Sequence, residues 1–219
     1  MITELSRRGA MIFASAALAS LMVASPALAD KTTEAFVQSN AQGVLNALAE
    51  TKSAAERRAT FSALMDKFAD MPAVASFVLG KYARQARADL ALYKDWVATF
   101  KEYGLVVYET QLDQYRGNAI KVLRSRDYDK NGVKRSLVLT EIAQKNGTPL
   151  RVDWDLQLYP NGAWKVVDVA LKFSENSLSL VTQQQGDFLA QLDANGGDVR
   201  KLMDSVKAQT AKMRAAITR

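Results

Sequence analysis

The chain has 219 residues, 29 Lys and Arg against 23 Asp and Glu, and a formal charge of +6. It contains no cysteine and no histidine. These absences exclude a disulfide scaffold, most zinc and copper sites, Ser-His and Cys-His nucleophile systems, and the commonest general base.

The N-terminus reads as an export signal. Arg7 and Arg8 precede a largely apolar run of 14 residues, Ala10 to Val23, and Ser25-Pro26-Ala27-Leu28-Ala29 offers a small-x-small cleavage site. The run falls short of the ~18–20 residues of a spanning helix, so residues 1–29 are expected to be a signal peptide cut after Ala29. Ser6-Arg7-Arg8 leaves both the general and the twin-arginine export routes open. The expected mature chain keeps 190 residues, and losing Glu4, Arg7 and Arg8 lowers its charge from +6 to +5. That mild basicity favours acidic partners such as phospholipid head groups or an anionic protein surface. Nucleic acid is disfavoured by export, by scattered basic residues and by the lack of any nucleic-acid motif.

The first half of the mature chain has helical spacing. Thr33 to Glu50 is predicted as one helix. Ser53-Ala54-Ala55-Glu56 reads as a capping box opening a second, with Phe61, Leu64, Met65 and Phe68 as its apolar stripe. Pro72 opens a third that runs to Gly80. From Arg84 to Tyr115 apolar and aromatic residues recur at three and four, including Trp96, Phe100, Tyr103 and Tyr108, and Gly104 is expected to bend or divide that helix.

The period then changes to two. Gly117 to Tyr128 and Val133 to Ala143 read as strands joined at Asp129-Lys130-Asn131-Gly132, and Asn146-Gly147 marks the next turn. Leu150 to Phe173 is the clearest hairpin. Leu150, Val152, Trp154, Leu156 and Leu158 alternate with Arg151, Asp153, Asp155 and Gln157 before Pro160-Asn161-Gly162. Its return strand puts Val167, Val169, Leu171 and Phe173 on one side, with a register change near Val166-Val167. Burying five apolar side chains of the first strand would contribute roughly 10 kcal/mol. Helices over Leu178–Leu192 and Asp198–Ile217 close the chain. The fold class is α+β: a four-stranded antiparallel sheet wrapped by helices, in one domain over residues 30–219. That domain divides into a helical part (30–115), the sheet (116–173) and the C-terminal helices (174–219).

An aromatic-rich helix above a broad amphipathic sheet suits the binding of an apolar ligand. The residues expected to line such a cavity are Phe61, Leu64, Phe68, Phe77, Trp96, Phe100, Tyr108, Val122, Val138, Val152, Trp154, Leu156, Val169 and Leu171; each has ordinary core packing as its alternative. Arg84, Arg87, Lys121 and Arg124 are candidates to meet a phosphate or an acidic partner. A carboxylate enzyme using Asp153, Asp155 or Asp168 is a second reading, and a ligand-free adaptor a third.

Several segments, taken together and in order, resemble the MlaC-like (toluene-tolerance) family of periplasmic lipid-binding proteins. They are Phe77-Val78-Leu79-Gly80-Lys81-Tyr82, then Tyr108 through Tyr115 followed by Gly117, then Trp164-Lys165-Val166-Val167-Asp168-Val169. Phe188-Leu189 and Gly196-Gly197-Asp198-Val199-Arg200-Lys201-Leu202 complete the set. The resemblance implies an NTF2-like sheet enclosing an acyl-chain cavity, phospholipid as cargo, no cofactor and no covalent chemistry. It implies a monomer that shuttles lipid between an outer-membrane lipoprotein–porin complex and an inner-membrane ABC transporter with an MCE-domain protein, maintaining outer-membrane asymmetry. One departure bears on the cargo. Where the family shows an arginine shortly before the Phe, this chain reads Gln183-Gln184-Gln185, which admits another amphiphile such as a hopanoid.

Overall fold

The computed structural model describes residues 31–49, 53–112, 115, 117–144, 147–173 and 176–217. The expected signal peptide and its cleavage site lie outside the described residues, as do Glu50, Asn146 and Glu175.

Five helices come first: α1 (Lys31–Ala49), α2 (Ala54–Phe68), α3 (Met71–Leu79), α4 (Ala83–Ala88) and α5 (Leu90–Leu112), with a 3₁₀ turn at Gly80–Tyr82 between α3 and α4. Five strands follow: β1 (Ile120–Lys130), β2 (Val133–Ile142), β3 (Leu150–Leu158), β4 (Trp164–Phe173) and β5 (Asn176–Ser179). Helices α6 (Leu180–Ala194) and α7 (Val199–Ile217) close the chain. The strands form one antiparallel sheet in the order β1-β2-β3-β4-β5. None of the described helices is long and apolar enough to cross a membrane.

Local chemistry sets the helix ends. The expected capping box is present: the Ser53 hydroxyl accepts from the Glu56 N–H at 3.3 Å and the Glu56 carboxylate accepts from the Ser53 N–H at 3.0 Å. Asp70 caps α3 by accepting from the Ala73 N–H at 2.9 Å, and Pro72 occupies its first turn.

Four expectations are corrected. The sheet has a fifth strand, β5, and α6 therefore starts at Leu180 rather than Leu178. The long helix is divided at Asp89, not Gly104. Asp89 is extended (φ −103°, ψ 98°) and its carboxylate accepts from the Leu92 N–H at 2.9 Å, ending α4 and capping α5. Gly104 lies inside an unbroken α5, where its lack of a side chain is tolerated because packing holds the helix. In β4 the inward residue is Val166, which is buried. Val167 is the extra residue of a bulge, since Asp155 pairs with Asp168 and Leu156 with Val166.

The edge of β1 is covered by α1. The Gln38 amide donates to the Ile120 carbonyl at 2.9 Å and accepts from the Val122 N–H at 3.3 Å; the Gln42 amide accepts from the Ile120 N–H at 3.1 Å. Two glutamines one helical turn apart thus replace a missing strand and blunt the edge.

Candidate functional site

The register sorts the sheet into two faces, because residues paired across antiparallel strands point to the same side. On the inner face one row runs Val122, Thr140, Val152, Leu171 and Leu178, and the next runs Val138, Trp154 and Val169. Helices pack over this face: Thr33 of α1 hydrogen bonds the buried Ser136 hydroxyl at 3.0 Å, and Asp70, ahead of α3, donates its N–H to the Val166 carbonyl at 3.0 Å.

The fourteen expected lining residues fall into three groups. Trp96, Phe100, Val138, Val152 and Leu156 are buried to within 2 % of complete, with Phe61 and Phe68 close behind. A side chain with no accessible area touches no space wide enough even for water; Trp96, Val138 and Leu156 meet that at 0 % exposure, Phe100, Val152 and Phe61 come within 3 % of it, and Phe68 keeps 8 %. Trp96 shows how tightly such a side chain is held. Its indole N–H donates to the Ala75 carbonyl at 2.8 Å, and its ring meets Phe188 edge-on with centroids 5.6 Å apart. Phe100 and Tyr103 also close on Phe188, at 6.2 and 5.7 Å.

Leu64, Tyr108, Val122, Trp154, Val169 and Leu171 form the second group. They pack against the same core yet stay only partly buried. Four stand on the inner face of the sheet, Leu64 comes from α2 and Tyr108 from α5. These six keep accessible surface where the first seven keep 8 % or less. The third group is Phe77 alone, 46 % exposed on the outer side of α3, where Val74, Ala75 and Val78 take the inward positions.

Hydrogen bonds on the sheet hold Trp154 of this second group in place. The Trp154 indole N–H donates to the Thr140 hydroxyl at 2.9 Å, and that hydroxyl donates to the Val152 carbonyl at 3.0 Å. The ring is thereby fixed with its polar edge against the sheet. Tyr108 lies deep enough that burial, with the Asp168 carboxylate adding to it, pushes its phenol well above the ordinary value. Its hydroxyl has no hydrogen-bond partner among the described residues. Leu178, 40 % exposed, continues the row of Val152 and Leu171 to the sheet margin, an apolar track that strand periodicity did not reveal because β5 was not anticipated.

The carboxylates considered for acid–base chemistry hold structure instead. Asp155 accepts from Arg135 at 2.6 and 3.1 Å and from the Tyr128 hydroxyl at 2.7 Å, and Asp153 pairs with Lys172 at 3.4 Å, both on the outer face. Burial and the bond to Asp155 push Tyr128 up to about 12. Asp168 accepts from the Ser179 hydroxyl at 2.6 Å and from the N–H groups of Val169 and Val181 at 2.7 and 3.4 Å. It therefore ties β4 to the start of α6. Arg84, Arg87, Lys121 and Arg124 are exposed. Lys121, Arg124 and Arg126 follow one another on the outer face of β1, opposite Glu141, Leu139 and Leu137. A separate groove of about 510 Å³ between α5 and α7 carries Asp95, Glu102, Lys207 and Arg214 on its walls, a charged lining unsuited to an acyl chain.

The arrangement favours binding over catalysis. No curated protein matches the chain in sequence. Among solved structures, a phospholipid-binding protein from Ralstonia solanacearum, determined in complex with a phospholipid, shares the fold. Its TM-score is 0.64 and its identity 21 %, over 82 % of this chain and 97 % of that one. The profile of the family described as MlaC protein matches residues 38–208, most of the chain, so the chain belongs to the MlaC family.

Proposed function

We propose that this chain is a periplasmic lipid carrier. It holds the acyl chains of a phospholipid against the inner face of the sheet. It ferries the lipid between an outer-membrane lipoprotein–porin complex and an inner-membrane ABC transporter with an MCE-domain protein, and so maintains outer-membrane asymmetry. The observation that carries this reading is the incompletely covered inner face: Trp154, Val169, Leu171 and Val122 on the strands, Leu64 and Tyr108 on the helices above. Family membership and the ligand of the Ralstonia protein point the same way.

Transfer energetics shape the mechanism. Each methylene moved out of water contributes about 0.8 kcal/mol, so two acyl chains of ordinary length are held firmly against loss to water. Release then requires a partner that offers an apolar surface of its own, which makes docking, not spontaneous dissociation, the productive step. The basic chain suits an anionic partner surface.

Native mass spectrometry of the protein purified from periplasm, with lipid extraction of the same sample, tests the proposal. The expected result is a mass increment equal to a membrane lipid, lost on denaturation and matched in the extract, on a polypeptide that begins at Asp30. A bare polypeptide that stays bare after incubation with phospholipid vesicles would overturn the carrier reading.

A further inference from the structure

The outer face of the sheet carries a charge imbalance that gathers on one strand. The acids of β2 and β3 on that face are already paired: Glu141 with Arg151 at 3.2 Å, Asp155 with Arg135 at 2.6 Å and Asp153 with Lys172 at 3.4 Å. Lys121, Arg124 and Arg126, on the same face of β1, are exposed and form no ion pair among the described residues. Three positive charges are thus left over in a row. A strand rises about 3.3 Å per residue, so the row spans roughly 16 Å.

Apolar surface borders the row. The register shift between Val122 and Arg124 makes Leu123 the extra residue of a bulge, and it stands 42 % exposed beside Arg124. On the neighbouring strand Leu139 and Leu137 lie opposite Arg124 and Arg126 and keep part of their surface. The Arg126 guanidinium rests 6.0 Å from the centre of the Tyr128 ring. Arg124 and Arg126, two residues apart on one face, lie within a Debye length of about 10 Å and repel each other. An anionic partner removes that repulsion, and an apolar layer beneath its charges would take up the leucine.

We infer that the outer face of β1 docks on an anionic phospholipid bilayer, with Lys121, Arg124 and Arg126 meeting the phosphates and Leu123 entering the boundary beneath them. A protein interface gathers its affinity in desolvated anchors near its centre and is depleted in lysine. This row instead offers solvated heads on flexible stems, and its central apolar residue, Leu123, is exposed. A bilayer needs no matching shape: it needs charge along a line and side chains able to spread toward mobile head groups. The face also points away from the helices that cover the inner side of the sheet, so docking here leaves the proposed cargo side uncovered. The inference adds a membrane contact to the carrier reading and does not depend on it.

The test is cosedimentation of the full mature chain with two kinds of vesicle, pure phosphatidylcholine and an equal mixture of phosphatidylcholine and phosphatidylglycerol. Wild type is compared with a triple variant of the row, Lys121→Ser, Arg124→Ser and Arg126→Ser. A control, Arg84→Ser, Arg87→Ser and Lys94→Ser, removes the same charge from exposed positions on α4 and α5. Thermal melts confirm that all three proteins fold. Wild type is expected to bind the phosphatidylglycerol vesicles more tightly than the neutral ones, and to lose that preference between about 0.1 M and about 1 M salt. Each cation brought to an anionic surface raises partitioning about fivefold, so the β1 variant should bind those vesicles roughly 100-fold more weakly. The control should weaken by less than about tenfold, and native mass spectrometry should find the same bound lipid in all three. If wild type binds both kinds of vesicle alike, or the two triple variants weaken equally, the inference is overturned and the row is left to an acidic protein surface. Loss of bound lipid from a folded β1 variant would also overturn it, by placing the row at the cargo rather than at a membrane. Absence of bound lipid from every protein, with vesicle binding intact, would remove the carrier reading alone.

Discussion

Trp154 and Thr140 sit opposite neighbouring positions on adjacent strands, and the indole N–H of the first donates to the hydroxyl of the second at 2.9 Å. The hydroxyl in turn donates a hydrogen bond to the Val152 carbonyl at 3.0 Å. A large half-buried ring on the inner face is therefore fixed by a relay in which the indole N–H and the hydroxyl are both paired. Thr140→Val keeps the shape and removes the acceptor. The expected loss is about 1 kcal/mol of stability, at the low end for an orphaned donor because Trp154 is only partly buried, together with faster lipid release. A double-mutant cycle with Trp154→Phe checks the coupling. Additive effects would mean that the hydroxyl acts on something other than the ring.

On the proposed function, Trp154 and Leu156 also separate cavity wall from core. Both lie on the inner face two residues apart, but Leu156 has no accessible surface while Trp154 keeps some. An arginine at Leu156 must bury an unpaired charge, and Leu156→Arg is expected to unfold the protein. At Trp154 the guanidinium can reach the open space and its water. Trp154→Arg is expected to fold and to lose its lipid. Circular dichroism and lipid extraction of both proteins check this, and a folded, lipid-bearing Trp154→Arg would remove this residue from the wall.

The difference between these two residues marks how far the amino-acid pattern reaches. The β3–β4 hairpin was legible because its period of two and Asn161-Gly162 are local features, and even the bulge near Val167 left a trace in the broken alternation. β5 was not, because four residues, Asn176–Ser179, carry no period and become a strand only by pairing with β4. The break at Asp89 was missed for a related reason. A side-chain cap ends a helix as surely as glycine does, but an aspartate on a helix surface looks the same before folding. The site was half legible: the apolar inner faces could be read, whereas wall and core share one chemistry. Trp96 and Trp154 are the same residue type, and only the fold makes one a packed plug and the other a surface.

Two glycines make opposite predictions. Gly186 lies inside α6, and a Cβ built there meets nothing within 4 Å. Gly186→Ala removes unfolded-chain entropy at no steric cost and is expected to raise stability by about 0.5–1 kcal/mol, or roughly 1–4 °C in Tm. Gly197 has φ +81°, and its Cβ would fall 2.5 Å from the Tyr82 ring, which the Asp193 carboxylate holds by accepting from the Tyr82 hydroxyl at 2.6 Å. Gly197→Ala is expected to lose about 1–2 kcal/mol from the backbone alone and more from displacing that ring. Thermal melts of the two variants should move in opposite directions, and equal shifts would contradict the packing described between the 3₁₀ turn and the α6–α7 connection.

Asp168 gives a pH signature that tells a structural carboxylate from a catalytic one. Burial, the largest influence on it, raises its pKa above the ordinary 3.8, against the hydrogen bonds from Ser179, Val181 and Val169 that favour the charged form. The folded protein therefore keeps this proton to a higher pH than the unfolded chain does. Within that window the native state binds more protons, so the Asp168 contribution to stability is complete below the unfolded value and is lost as pH rises through the folded one. Asp168→Asn cannot ionise, and its amide oxygen can still accept from the Val169 and Val181 N–H groups. The stability difference, variant minus wild type, is expected to increase with pH from about 3.8 upward and then level off, since the other carboxylates cancel between the two proteins. Urea midpoints measured across that range give the curve. Lipid content should not change, because Asp168 ties β4 to α6 rather than touching the cargo. A difference that stays flat with pH would mean the carboxylate is solvated, and loss of lipid from a folded Asp168→Asn would return Asp168 to the binding site.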